Sequence, residues 1–375
     1  MSQITLPVSL GEAIDKLTIL HIKLSKIQDS RRDDVQKEFD VLYEVLKEYV
    51  TKYNYHYTTL YQINRTLWEI QDKFHHKETT KEQGAEICRT ILIENDRRYR
   101  VKAKINTAAN SVLREQKGYD LKKVVLYSHL GLGDMFWMNG AVRYLATDYD
   151  EVLVICKKRN EVNVRAMYSD DPSIKLFVID DDSDLYPWHV KKSIFSDQGY
   201  KVLGCGGFSD REEPMLYNLP ESFYDDIGIP FNVRRAYFHV PRTEAAIDLA
   251  KIYTMPYIVI HAESSVQKIL LAEMLRSQGE KRLILDLNKN TYSRYSNPVE
   301  WDLAQNVIGK PLLDYTVLIE GAAELHMIES SIYCMASHLD LSKVEKKVCY
   351  QPWGGNAERL DVFTTGSTAP LFNQG

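Results

Sequence analysis

The 375-residue chain has no basic excess: 47 lysines and arginines stand against 52 aspartates and glutamates, for a formal charge of −5. No long cationic run occurs either, which argues against a protein that holds nucleic acid mainly through its phosphates. No stretch of about 18 apolar residues is available to span a bilayer. The opening MSQITLPVSLGEAIDK has neither a cationic start nor an apolar core, so no secretory leader is read there. Cysteines are few and scattered (Cys88, Cys156, Cys205, Cys334, Cys349), with no CxxC pair. A disulfide framework and a zinc knuckle are therefore not expected. The expectation is a cytoplasmic protein (host cytoplasm, if viral) with no metal centre.

Proline and glycine are scarce in the first third. Residues 1–120 hold one of the twelve prolines (Pro7) and three of the eighteen glycines (Gly11, Gly84, Gly118). Both residues interrupt helices, so 1–120 is expected to be an all-α domain and the rest a mixture with many turns. Ser9 and Glu12 fit a capping box. Ile14, Leu17, Leu24 and Ile27 then recur at helical spacing, and Asp29-Ser30 breaks the pattern. Further helices run through Val35–Val50, Leu60–Phe74 and Lys81–Glu115. Four amphipathic helices with short connections predict a bundle or hairpin stack, the expected surface for any homo-oligomer. The polar run Asn95-Asp96-Arg97-Arg98 with Arg100 is either a solvated or inter-helix ion-pair face or a dock for an acidic or sugar-bearing partner.

From Lys122 the pattern changes to strands alternating with helices, which implies βαβ units and parallel sheets. Strands are predicted at Val124–Tyr127, Val152–Ile155, Ile174–Ile179 and, more weakly, Tyr200–Leu203. After a connecting stretch from Pro220 to Pro241 come Tyr257–Ile260, Arg282–Leu285, Thr316–Ile319, Glu324–Ile328 and Lys347–Tyr350. Two Rossmann-like halves are thus expected, 121–240 and 241–375. Open α/β sheets bind ligands at the carboxyl ends of their strands.

The turn Ser128-His129-Leu130-Gly131-Leu132-Gly133-Asp134 joins the first strand to its helix. Glycines there permit positive φ and a close ligand approach. A dinucleotide fingerprint fails because Phe136 stands at the third glycine position and Cys156-Lys157-Lys158 replaces the acidic ribose partner. The P-loop pattern is absent. Asp134 suits either of two tasks, taking a proton from an acceptor hydroxyl or capping the helix. His129 suits an acceptor or phosphate contact, or simply a polar loop.

The segment LGLGDMFWMNGAVRYL resembles the opening loop of heptosyltransferase-like glycosyltransferases of the GT-B fold. There the aspartate of the Gly-Asp pair is the proposed general base, a role the resemblance implies for Asp134. The segment LLDYTVLIEGAAELHMIESSIYCMASHLD resembles the donor side of GT-B proteins, among them large-virus glycosyltransferase sequences. That likeness implies donor contacts by His326, Glu329, Ser330 and Ser331, with His261, Ser264, Ser265 and Lys268 after the first strand of the second half. Aspartate is commoner where Glu329 stands, and Ser330 serves equally well as a helix cap. Arg294 is a further candidate phosphate cation. The words VSLGEAIDKLTILHIKL and ENDRRYRVKAKINTAANSVLREQKGY resemble an uncharacterised helical family of bacteria and large viruses.

The resemblance implies an inverting, metal-independent transferase with no cofactor. It would take a nucleotide sugar as donor and a glycan, glycolipid or glycoprotein as acceptor. The acidic run Asp180–Asp184 invites a cation, but a metal-dependent transferase of the GT-A type would have a single sheet unit, and a solvated loop fits as well. Tyr217, Tyr224, Trp188 and Trp353 suit sugar stacking or core packing. The alternative function is a non-catalytic binding or scaffold protein on a degenerate transferase fold.

Overall fold

Apolar residues three and four apart wind the first part of the chain into four helices, α1 (Leu10–Lys26), α2 (Arg31–Lys52), α3 (Asn54–His76) and α4 (Lys81–Ala108). The computed structural model describes residues 6–76, 80–118, 120–185, 188–206, 208, 219–264 and 268–350. Ile14, Leu17, Leu46, Leu60, Ile63, Val101 and Ile105 form the core of this helical region. Ser9 Oγ accepts the Glu12 N–H, but the Glu12 carboxylate pairs with Lys102. α4 ends earlier than predicted, where Asn110 takes a left-handed φ of 51°.

The polar run of α4 is used largely in ion pairs, one of them between helices as expected and the others mostly with the α/β part. Arg97, Arg100 and Lys104 share one face of the helix, because residues three and seven apart stack along it. They meet Asp148 (2.6 Å), Asp150 (3.1 Å) and Asp171 (2.8 Å) of the α/β part. Arg98 points the other way, to Asp15 of α1. From α3, His56 Nε2 bonds the Asp170 carbonyl (3.1 Å) and Tyr55 stacks on His239 at 4.6 Å.

The first sheet contains β1 (Lys123–Tyr127), β2 (Glu151–Lys157), β3 (Ile174–Ile179) and β4 (Tyr200–Gly204), all parallel in the order β3-β2-β1-β4. Its helices are α5 (Leu132–Trp137), α6 (Asn139–Asp148), α7 (Glu161–Met167) and α8 (Trp188–Asp197). The connecting stretch carries α9 (Leu219–Asp225) and α10 (Val233–Ala236), and α11 (Glu244–Lys251) follows it. The second sheet contains β5 (Tyr257–His261), β6 (Leu283–Asp286), β7 (Glu324–Ile328) and β8 (Lys346–Tyr350), parallel in the order β6-β5-β7-β8. With it come α12 (Leu271–Ser277), α13 (Pro298–Gln305), α14 (Thr316–Glu320) and α15 (Ser331–Ala336). The expected class holds: an all-α region precedes two Rossmann-like units, the GT-B-like order.

One expected strand is a helix. Thr316–Ile319 forms α14, following a 3-10 turn at Leu312–Tyr315. A short, mostly apolar run fits a strand or one helical turn equally well. Here Leu318 and Ile319 pack into a core that runs continuously from Val124 and Val125 through Val259 and Leu325 to Cys349.

The Lys104–Asp171 pair is enclosed. The Asp171 side chain also accepts from the Ser173 amide and hydroxyl, and Lys104 donates to the Ala146 carbonyl. Burial alone would raise the Asp171 carboxyl, but Lys104 reverses this and holds it below its ordinary range. Asp171→Asn leaves the buried ammonium without a counter-charge. It should cost about 3–5 kcal/mol in denaturant unfolding, whereas the double change Lys104→Met/Asp171→Leu should cost less than the single one.

Candidate functional site

Ligands in open parallel sheets collect where the strand order reverses. In the first sheet that point lies between β1 and β4, and in the second between β5 and β7. The loop after β1 carries His129 and Gly131, and the first turn of α5 carries Gly133 and Asp134. The ends of β5 and β7 carry His261, Ser264, Glu329 and Ser330, with Ser331 opening α15.

The glycines work differently from expectation. Gly131 caps α5 at φ −65°, and neither it nor Gly133 has a positive φ. Both are needed for space. A Cβ on Gly131 would sit 2.6 Å from Asp134 Oδ2, so the half-buried carboxylate folds back over the start of its own helix. A Cβ on Gly133 would sit 3.0 Å from Cys334 Sγ and 3.7 Å from Ser331 Cα. The first turns of α5 and α15 therefore touch, and the two switch points meet. Asp134 occupies the third helical position and is not the cap residue. Burial raises the Cys334 thiol, and the nearby charges of Asp134 and Glu329 raise it further.

His261 is the best-defined donor-side residue. Asn288 Oδ1 accepts the Ala262 and Glu263 amides (2.9 Å each), so its Nδ2 must donate, to the Glu263 carbonyl and to His261 Nε2 at 3.3 Å. His261 Nδ1 then carries the proton and donates to Ser330 Oγ at 3.1 Å. Ser330 Oγ also accepts the Tyr333 amide as cap of α15. With both lone pairs used, its own O–H is left as a donor. Burial pulls His261 down to about 4, keeping it neutral.

The remaining candidates have other surroundings. His326 is inside β7, its nitrogens bonded to Tyr350 (2.8 Å) and Glu324 (2.9 Å), so it braces the sheet and does not reach these loops. Lys268 pairs with Glu263 at 2.6 Å. Arg294 lies over the Trp301 ring at 5.2 Å. His129 is exposed and meets Phe208 edge-on at 5.5 Å. Tyr224 is buried and donates its hydroxyl to the Trp137 carbonyl. Ser265, Tyr217, Trp353 and the Trp188 side chain lie outside the described residues. In the acidic run, Asp184 accepts the Asp180 and Asp181 amides, a turn closed on itself.

Two residues of this site were not among the sequence candidates. Asn288 organises the β5 loop, and Asp286 at the end of β6 is 1% exposed with Oδ2 unpartnered among the described residues. Burial pushes the Asp286 carboxyl up to about 6. Polar residues just past an apolar strand were the available signal.

A model of DUF6165, a family of unknown function, matches residues 4–127. No curated protein matches the chain. Among solved structures, a glycosyl transferase family 9 protein from Veillonella parvula DSM 2008 is similar at 10% identity, over 62% of this chain and 86% of its own, with TM-score 0.40. The E. coli ADP-heptose lps heptosyltransferase II is similar at 10% identity, over 65% and 94%, with TM-score 0.38. The iron-containing dodecameric glycosyltransferase TibC from enterotoxigenic E. coli H10407 is similar at 15% identity, over 65% and 64%, with TM-score 0.36. Likeness at this level carries no statement about activity. The expectation that no metal is required is nonetheless withdrawn, since TibC contains iron. Among the described residues no group of three or more His, Cys, Asp or Glu is placed to hold an ion, so no step is derived through one. No helix of the described residues is long and apolar enough to cross a membrane.

The titrations give opposite slopes. His261 stays neutral in the fold to about pH 4 while the unfolded chain protonates it near 6.5, so its contribution to stability is lost as pH falls between these values. Asp286 keeps its proton in the fold up to about pH 6, and its contribution is lost as pH rises through that region. His261→Asn should flatten the fall in unfolding free energy between pH 6.5 and 4.5 by up to about 1.4 kcal/mol per pH unit. Asp286→Asn should steepen it. Chemical denaturation across that range reads both.

Proposed function

We propose that this chain is a glycosyltransferase that moves a sugar from a nucleotide-sugar donor to a hydroxyl of a glycan, glycolipid or glycoprotein. The observation that supports the reading is the contact of α5 with α15, which brings the turn after β1 close to the serine turn after β7. In this reading Asp134 is the general base, with His129 beside the acceptor. The acceptor hydroxyl gives its proton to the carboxylate as its oxygen bonds the anomeric carbon. The bond from that carbon to the diphosphate oxygen breaks, and the nucleoside diphosphate leaves with the electron pair. Attack opposite the leaving group inverts the centre.

On the donor side, Ser330 offers its O–H toward the leaving group, oriented by His261 and Asn288. Ser264, Ser331 and Glu329 complete that side, Glu329 toward the ribose hydroxyls. A neutral His261 suits this part because its single N–H goes to Ser330 and leaves the serine proton for substrate. Gly131 supports Asp134 by leaving room for its carboxylate.

Thermal unfolding with UDP, GDP, CDP and ADP compounds tests the donor site, with selective stabilisation by one base expected. Asp134→Asn should lower transfer by roughly 10²–10⁴-fold while nucleotide stabilisation is retained. Persistent transfer would assign the base elsewhere. No stabilisation by any nucleotide, with no sugar-nucleotide hydrolysis, would favour the scaffold reading.

A further inference from the structure

Arg234 stands on the connecting stretch, in α10, and its backbone rests on α6. A Cβ at Gly140 would lie 2.5 Å from the Arg234 carbonyl oxygen. The side chain is 9% exposed. Its guanidinium lies 4.7 Å from the Trp137 ring centroid and 4.5 Å from that of Phe231. Among the described residues it has no carboxylate or carbonyl partner. Ring faces offset only part of the desolvation of such a cation; its N–H donors have no hydrogen-bond partner among the described residues and are not enclosed, so they are left to solvent or to a ligand. Burial, with Arg235 adjacent, pulls this guanidinium down to about 10, and Glu221 is the carboxylate acting on it.

His338 contacts the same indole. Its ring meets Trp137 edge-on at 4.9 Å and stacks on Phe238 at 4.5 Å. Nδ1 is 2.7 Å from the Cys334 carbonyl, which can only accept, so Nδ1 carries the proton and Nε2 is an acceptor. That Nε2 is buried and has no partner among the described residues. Burial, reinforced by Arg234 and Arg235, pulls the ring down to about 3, which preserves the lone pair.

An unmatched array of donors and an unmatched acceptor thus pack on one tryptophan. A simple oxyanion satisfies the first and repels the second. A ligand that carries an O–H beside its charged oxygens satisfies both. We propose that Arg234 and His338 form a subsite for a phosphoryl group of this kind, its oxyanion accepting from the guanidinium and its hydroxyl donating to His338 Nε2. Hydrogen phosphate meets the requirement itself, and a sugar phosphate meets it through a neighbouring hydroxyl. Sulfate is close in size and charge but has no O–H at neutral pH. The subsite therefore discriminates phosphate from sulfate.

Calorimetric titration of the full chain at pH 7.5 with inorganic phosphate, sulfate and a hexose 6-phosphate tests this. Phosphate should bind at least about tenfold tighter than sulfate, a difference of about 1.4 kcal/mol. Arg234→Gln should lose that binding, and His338→Phe should bring phosphate and sulfate to similar weak affinities. Hexose 6-phosphate tighter than free phosphate would identify a sugar phosphate as the ligand, and the reverse order the free ion. Equal binding of phosphate and sulfate by the unaltered chain, or no phosphate binding, overturns the subsite even if either variant fails to fold. The subsite goes beyond the transferase reading and fails separately from it. Nucleotide stabilisation without phosphate selectivity removes the subsite alone, and phosphate selectivity without nucleotide stabilisation removes the transferase alone.

Discussion

How closely α5 can lie on α15 is set at Gly133, where a single hydrogen faces Cys334 Sγ and the Ser331 backbone. Both helices are short and begin at the reversal points of their sheets, so this contact joins the two loops with the most polar chemistry. A second glycine seven residues on, Gly140, has the same function toward α10. The segment from α5 to α6 therefore carries two close backbone approaches, one to the second sheet unit and one to the connecting stretch. Around them the apolar core is continuous from one unit to the other. Separating the units would expose that apolar surface to water, which opposes large opening.

The helical region is joined by a different kind of interaction. Its contact with the first sheet unit is largely ionic, through Arg97, Arg100 and Lys104, and it adjoins a buried hub at Arg143. Arg143 donates to Asp170, to the Met167 carbonyl and to the His239 carbonyl, and Tyr55 of α3 lies over its plane at 4.7 Å. Burial would raise Asp170, yet Arg143 and His239 hold it far below the ordinary carboxylate range. Such pairs add little net stability over apolar packing, because desolvation consumes most of their attraction. They are strongly directional, however, and a helix docked by three cations to three aspartates has one register on its partner.

The strands were legible because the central ones, β1, β2, β5 and β7, are parallel and mostly buried, which writes them as nearly unbroken apolar runs. The mostly apolar run Thr316–Ile319 misled because it is too short to show the periodicity that separates strand from helix. The turn after β1 was found from its glycines, but the reason for them was not. A missing side chain reads the same whether it serves backbone φ or a neighbouring helix, and only the partner, Cys334, tells them apart. His326 sat within a recognisable donor-side word, yet strand alternation turned it toward Glu324 and Tyr350. The charged face of α4 read as a solvated or inter-helix ion-pair face or as a dock for a partner, because its aspartate partners lie roughly fifty to seventy residues further along the chain. Arg234 gave no sign, being a polar residue in a connecting stretch.

Arg143 and Arg234 together show what the fold does with a buried guanidinium. Both are nine-tenths or more buried and both lie against aromatic rings. Arg143 has a carboxylate and two carbonyls on its donors, and every partner belongs to a different element from its own helix, as expected of a residue that holds elements together. Arg100 shows the intermediate case, with one nitrogen unmatched while another pairs with Asp150. Arg234 has rings alone. A residue whose only role was to join α10 to its surroundings would gain most from a carbonyl or carboxylate, and Arg143 shows that this fold can supply both. A guanidinium against two rings, on the same indole as a histidine nitrogen that also lacks a partner, instead suits an incoming group that completes both.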